Sequence, residues 1–165
     1  MSAKQHTDDK LTRLLDKARH YCSTAEQCVA TVKQKLATWG ASPADADTIV
    51  GTLCRDGYLD DVRYARAYCE SKILSQQWGR QKVLYQLRMK HLPREAVEAG
   101  LAAIADDDYR AVLHEIAEKK RLEIERSETD PLRQRQKLMA FLASRGFLAS
   151  EITQEINQLS NTNDL

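Results

Sequence analysis

The sequence predicts an all-α protein of three tandem three-helix repeats stacked into an elongated array. Three observations predict it. Apolar residues recur at spacings of three and four almost throughout, the period of one helix face. Only 6 Gly and 3 Pro occur in 165 residues, too few turn-formers for a sandwich or barrel of many short strands. The helix pattern also repeats. Leu87 to Leu101 aligns without a gap on Leu142 to Ile156, so that Lys90 meets Arg145, Leu92 meets Phe147 and Val97 meets Ile152. Leu36 and Ile49 fall on Leu87 and Val97 after a three-residue insertion. Units this small bury little alone, so they are expected to stack.

In the first repeat, Leu11, Leu14, Leu15 and Ala18 form one apolar stripe. Ser23-Thr24-Ala25-Glu26 reads as a capping box opening a second helix with Val29, Val32 and Leu36. Trp39-Gly40 ends it, and Ser42-Pro43 supplies an N-cap and a first-turn proline for a helix with Ile49, Val50 and Leu53. Asp56-Gly57 stops that helix. In the second repeat, Asp60-Asp61 caps a helix carrying Val62, Ala65, Cys69 and Ile73. Trp78-Gly79 precedes one with Val83, Leu84 and Leu87, and a short helix with Val97 and Leu101 starts near Pro93. The third repeat opens at Asp106-Asp107-Asp108, with Tyr109, Val112, Leu113 and Ile116 on one face. Ser127 to Pro131 breaks the chain, a helix with Leu138, Phe141 and Leu142 ends at Arg145-Gly146, and the last helix carries Ile152 and Ile156. The expected boundaries are a flexible tail over 1–10, repeats over 11–59, 60–105 and 106–159, and a flexible tail over 160–165.

Composition excludes several function classes. The 42% hydrophobic content supports a core, against wholesale disorder. No apolar run approaches the roughly 20 residues of a membrane span, and Met1 to Lys10 lacks a signal-peptide apolar stretch. The expected location is the cytoplasm. Cys22, Cys28, Cys54 and Cys69 form no C-x-x-C pair, and His6, His20, His91 and His114 are scattered. These read as reduced thiols and ordinary histidines, with no metal site and no cofactor. A Gly-rich phosphate loop, H-E-x-x-H and G-x-S-x-G are all missing, so no catalytic residue is assigned. The Asp clusters at helix starts are explained by capping.

The charge is informative only once it is located. The chain holds 25 Lys+Arg and 24 Asp+Glu, net +1, yet residues 61–95 carry net +5 and residues 117–145 net +3, with acidic segments after each. On a helical wheel, Arg63, Arg66 and Glu70 share a face away from Ala65, Tyr68 and Cys69. Lys82 points away from Val83, Leu84 and Leu87, flanked by Arg80, Arg88 and Lys90, with Tyr85 and Met89 on the outward side. A basic surface with an accessible aromatic suits phosphate contacts and stacking. It suits an acidic protein groove equally, and a solvated face is the plain alternative.

The string Gly57-Tyr58-Leu59-Asp60-Asp61-Val62-Arg63-Tyr64-Ala65, followed by Ser71-Lys72, Gly79, Lys82, Gln86-Leu87 and Lys90, resembles the RecX family of bacterial regulators of the RecA recombinase. The resemblance covers nearly all of residues 11–159. It implies a curved, elongated molecule that binds along the groove of the RecA–DNA filament and caps or destabilises it. Strand exchange, ATP hydrolysis and coprotease function, and with them the SOS response, would be inhibited. It implies weak, non-specific binding to single- and double-stranded DNA, no enzymatic activity and no membrane partner. The chain is expected to be a monomer. Gly57, Tyr58, Leu59, Asp60, Asp61 and Gly79 read as structural, with Tyr58 and Leu59 expected in the joint between repeats one and two. The expected filament- and DNA-binding residues are Arg63, Arg66, Lys72, Arg80, Lys82, Arg88 and Lys90, with Arg133 and Lys137 from the second basic zone. One departure is His91, where the family has Gly, in a turn that asks for left-handed backbone. Rival readings are a sequence-specific DNA-binding regulator and a nucleic-acid enzyme acting through its Asp clusters.

Overall fold

The computed structural model describes residues 2–162, with side chains from Asp8 to Asn161. Among the described residues it is all-helical. The first three helices are α1 (Ser2–Thr24), α2 (Val29–Thr38) and α3 (Pro43–Arg55). Next come α4 (Asp61–Glu70), prolonged by a π-helical turn Ser71–Ser75, then α5 (Arg80–Met89) and α6 (Arg94–Ala102). The last three are α7 (Asp106–Glu125), α8 (Pro131–Ser144) and α9 (Ala149–Thr162). Helix α1 takes in residues 2–10, where the sequence suggests a tail. The Lys10 ammonium donates to the Gly40 carbonyl (2.9 Å). Likewise α9 runs through Ser160, whose hydroxyl donates to the Ile156 carbonyl. Met1 and residues 163–165 of the expected tails lie outside the described residues.

Most helix ends follow local chemistry. The Ser42 side chain accepts from Asp45 N–H with Pro43 in the first turn, Asp60 accepts from Val62 and Arg63 N–H, and Asp130 accepts from Leu132 N–H. Gly40, Gly57 and Gly146 leave α2, α3 and α8 at positive φ, the left-handed cap that glycine adopts without penalty. His91 takes the same conformation, φ 56°, after α5.

Three expectations are corrected. The Ser23–Glu26 capping box is absent. The Ser23 and Thr24 hydroxyls instead donate back to the carbonyls of His20 and Tyr21, inside the last turn of α1. Helix α2 starts at Val29, and its first N–H is satisfied by Asp61 Oδ1 (2.9 Å) from the next repeat. Asp106, Asp107 and Asp108 lie in the first turn of α7, after the N-cap Ala105, without a side-chain cap. There they complement the helix dipole. Leu59 and Tyr58 belong to the core of the first repeat rather than to the joint.

The described residues form two cores. One gathers Leu14, Val32, Leu36, Ile49, Leu53 and Leu59 from the first repeat. The other is continuous through the second and third repeats, from Ala65, Ile73 and Leu87 to Leu113, Leu142 and Ile156. Each fully buried Leu or Ile contributes about 2 kcal/mol. Repeats two and three meet backbone to backbone. Gly79 N–H donates to the Arg145 carbonyl (2.8 Å) and Gln81 N–H to the Gly146 carbonyl (3.1 Å). The carbonyl-rich end of α8 thus faces the N–H-rich start of α5. The joint between repeats one and two is more polar. Arg63 Nε donates to Glu26 Oε1 (2.7 Å) and its other nitrogens donate to the carbonyls of Gly57 and Tyr58. Cys28 is the buried apolar contact that crosses it, packed against the second core.

Candidate nucleic-acid interface

Three of the expected binding residues converge. Lys72 projects from the π-helical turn, with its Nζ 5.5 Å from the Tyr68 ring centroid and 4.9 Å from that of Trp78. Lys82, from the first turn of α5, places its Nζ 4.2 Å from the Trp78 centroid. Lys90, at the end of α5, reaches 5.8 Å from Tyr68. Two aromatic rings therefore gather three ammonium groups. The electron-rich ring faces make this clustering favourable, by about 0.5–1 kcal/mol per exposed contact.

The local backbone explains the convergence. Lys72 follows Tyr68 by four residues, so both stand on one side of the helix. The segment then turns back through Gln77, a non-glycine at φ 54°. Trp78 N–H returns a hydrogen bond to the Lys72 carbonyl (2.9 Å), which carries the indole under the lysine. A π-turn and a left-handed glutamine side by side are uncommon features that concentrate at functional sites. Tyr64 stacks on Tyr68 at 6.0 Å and 25°, which steadies the lower ring. Burial pushes the Tyr68 hydroxyl above its ordinary value, and the nearby Lys90 opposes that shift.

Electrostatics separates these lysines from the other candidates. Among the described residues none of Lys72, Lys82 and Lys90 is ion-paired with a carboxylate; the polar partner of Lys72 is the Gln76 side-chain oxygen (3.1 Å). Three cations without a carboxylate partner make a surface that favours an anion. Arg66 and Arg88 are exposed on α4 and α5. Arg63 is committed to the joint described above. Arg80 is committed to the third repeat. Its guanidinium donates to the Ile104 carbonyl and to Asp106 (2.9 Å), and stacks 4.2 Å from the Tyr109 centroid. The Tyr109 hydroxyl accepts from Arg80 N–H (3.0 Å) and is held well above its ordinary pKa, chiefly by burial. Arg133 and Lys137 lie on α8, paired with Asp130 (3.7 Å) and Glu128 (2.9 Å).

Sequence reasoning missed Trp78 and Tyr68 as the platforms for the cluster. The Tyr68–Lys72 spacing was readable, but the return of Trp78 depends on the turn at Gln77. Clustered ammonium groups of this kind suit an anionic partner. The geometry offers no catalytic pair, and among the described residues no group of three or more His, Cys, Asp or Glu could hold a metal ion. No helix among them is long and apolar enough to cross a membrane.

Comparison with known proteins agrees with this architecture. Residues 60–101 match the model of the second three-helix domain of RecX, and residues 106–156 that of the third. The regulatory protein RecX of Clostridium tetani is 28% identical over 78% of this chain and 58% of its own length. That of Clostridium perfringens strain 13 is 30% identical over 75% of this chain and 59% of its own. The chain thus spans less than two thirds of these curated relatives. The crystal structure of RecX from Lactobacillus salivarius superposes with a TM-score of 0.85 at 19% identity, covering 93% of this chain and 98% of that one. A second RecX crystal structure gives 0.83, also at 19%, covering 94% and 75%. With two consecutive domain models spanning more than half of its 165 residues, the chain belongs to the RecX family.

Proposed function

We propose that the protein is a non-enzymatic regulator that binds the RecA–DNA filament and inhibits RecA activities by capping or destabilising it. Strand exchange, ATP hydrolysis and coprotease function are the activities lowered. Family membership supports the RecA side of this reading. The observation that carries the DNA side is the carboxylate-free cluster of Lys72, Lys82 and Lys90. Lysines grip phosphate as point charges and carry no base code, which fits weak, non-specific binding to single- and double-stranded DNA. The protein acts as a monomer, and its modest contacts add along the filament. The test is DNA-dependent ATP hydrolysis by the cognate RecA, with the protein added below stoichiometry. Inhibition and shortened filaments are expected. Unchanged hydrolysis together with unchanged filament length would overturn the proposal.

A further inference from the structure

We propose that the cleft between α5 and α6 is a docking groove for an acidic, apolar-bearing segment of a protein partner. A cleft of ≈ 310 Å³ lies elsewhere, at the α7–α8–α9 end, but the α5–α6 cleft is larger, ≈ 620 Å³. Its floor is Leu84, Leu92, Val97 and Leu101, and Arg88, Arg94 and Glu98 stand on its rim, two cations to one carboxylate. At 3.6 residues per turn, Leu84 and Arg88 lie on one flank of the buried Val83–Leu87 line of α5, and Lys82 and Lys90 on the other. The groove and the lysine cluster are thus separate surfaces of one helix.

The chemistry of the groove points to protein rather than nucleic acid. Its floor is four aliphatic side chains with no aromatic ring, whereas unpaired bases are held by stacking on aromatic faces. A row of aliphatic pockets suits the spaced apolar side chains of an amphipathic helix or extended segment. The rim decides the charge. Among the described residues Arg88 has no carboxylate within ion-pair distance, and Arg94 is held by Glu98 (2.6 Å), the pair being 86% and 61% exposed. An incoming carboxylate meets one unpaired guanidinium and a second whose present partner is solvated and readily exchanged. Tyr85 and Met89, each 60% exposed, form the adjoining ridge. Tyr, Met and Arg are the residue types that mark protein interfaces.

This inference rests on the filament reading, with the groove meeting the protein of the filament and the lysines meeting its DNA. The test measures binding of the full chain to a RecA filament assembled on a thymidine oligonucleotide with a slowly hydrolysed ATP analogue. The same oligonucleotide alone is measured in parallel. Arg88→Glu is expected to weaken filament binding at least tenfold more than it weakens binding to the bare oligonucleotide. Glu98→Gln, which releases Arg94, is expected to tighten filament binding about threefold, a gain that misfolding cannot produce. An Arg88→Glu effect equal on both targets, or a Glu98→Gln variant that fails to bind more tightly, overturns the groove alone. Wild-type protein that binds the oligonucleotide but not the filament overturns the filament reading and the groove with it.

Discussion

A methyl group at residue 79 would stand 2.1 Å from the carbonyl carbon of Gly146. The junction is tight from the other side as well, since a Cβ at Gly146 would stand 2.3 Å from the Lys82 Cβ. Backbone cannot yield as a flexible side chain does. Gly79→Ala is therefore expected to cost about 3 kcal/mol, at the upper end of overpacking, measured by urea unfolding. Gly51→Ala is the contrasting variant. Its Cβ meets nothing within 4 Å and it lies inside α3, so a gain of about 0.5–1 kcal/mol is expected.

The two adjacent aspartates should separate cleanly. Asp60 caps its own helix through Val62 and Arg63 N–H, both within 3.0 Å. Asp60→Ala is expected to cost about 1 kcal/mol, spread over the second repeat. Asp61 serves a helix of the other core, through Val29 N–H. Asp61→Ala is expected to cost about 1–2 kcal/mol and to raise hydrogen exchange selectively at the start of α2. Asp61→Asn keeps the acceptor and should restore protection.

Replacing Lys72, Lys82 and Lys90 together by Ala should flatten the salt dependence of single-strand binding. Each phosphate contact contributes about 0.7 to the slope of log K against log salt, so a drop of roughly 2 is expected. Equilibrium titrations between 50 and 200 mM salt, on the order used to resolve such slopes, give the answer. An unchanged slope would mean that the three lysines are merely solvated.

Alkaline pH should destabilise the fold. Burial holds the Cys69 thiol at about 11 instead of its ordinary 9.0, and burial raises Tyr109, Tyr64 and Tyr68 as well. Above pH 9 the unfolded chain loses the Cys69 proton while the folded chain keeps it. The folded state then binds more protons, and stability falls as pH rises from 9 towards 11. Cys69 alone accounts for roughly 2–3 kcal/mol of that loss. Unfolding of Cys69→Ala followed over the same range should show a shallower decline.

Features encoded by neighbours in sequence were legible, and features encoded across repeats were not. Ser42-Pro43, Asp60 and Gly57 announce helix ends because each acts on backbone within a few residues. Ser23-Thr24 has the same local signature, yet α1 continues through it, because the true first partner of α2 is Asp61, more than thirty residues on. The basic side chains show the same division. The wheel places Arg63 and Arg80 outside the apolar face, which is right as far as it goes. Whether an outward guanidinium meets solvent or a neighbouring repeat depends on stacking, and here both meet a neighbour. The left-handed backbone at His91 was legible only through the family resemblance, which has Gly there, and not from the local sequence.

The division of the interior into two cores also gives each its own optical reporter. Trp39 packs against the first and Trp78 against the second, and the sequence holds only 2 Trp. Each indole lies under a lysine, Lys17 at 4.3 Å and Lys82 at 4.2 Å, so its emission is sensitive to the loss of that cation. Trp39 will register the opening of the first repeat, while Trp78 will register both the melting of the rest and the arrival of an anion above it. The protein can thus be followed, core by core, without an added dye.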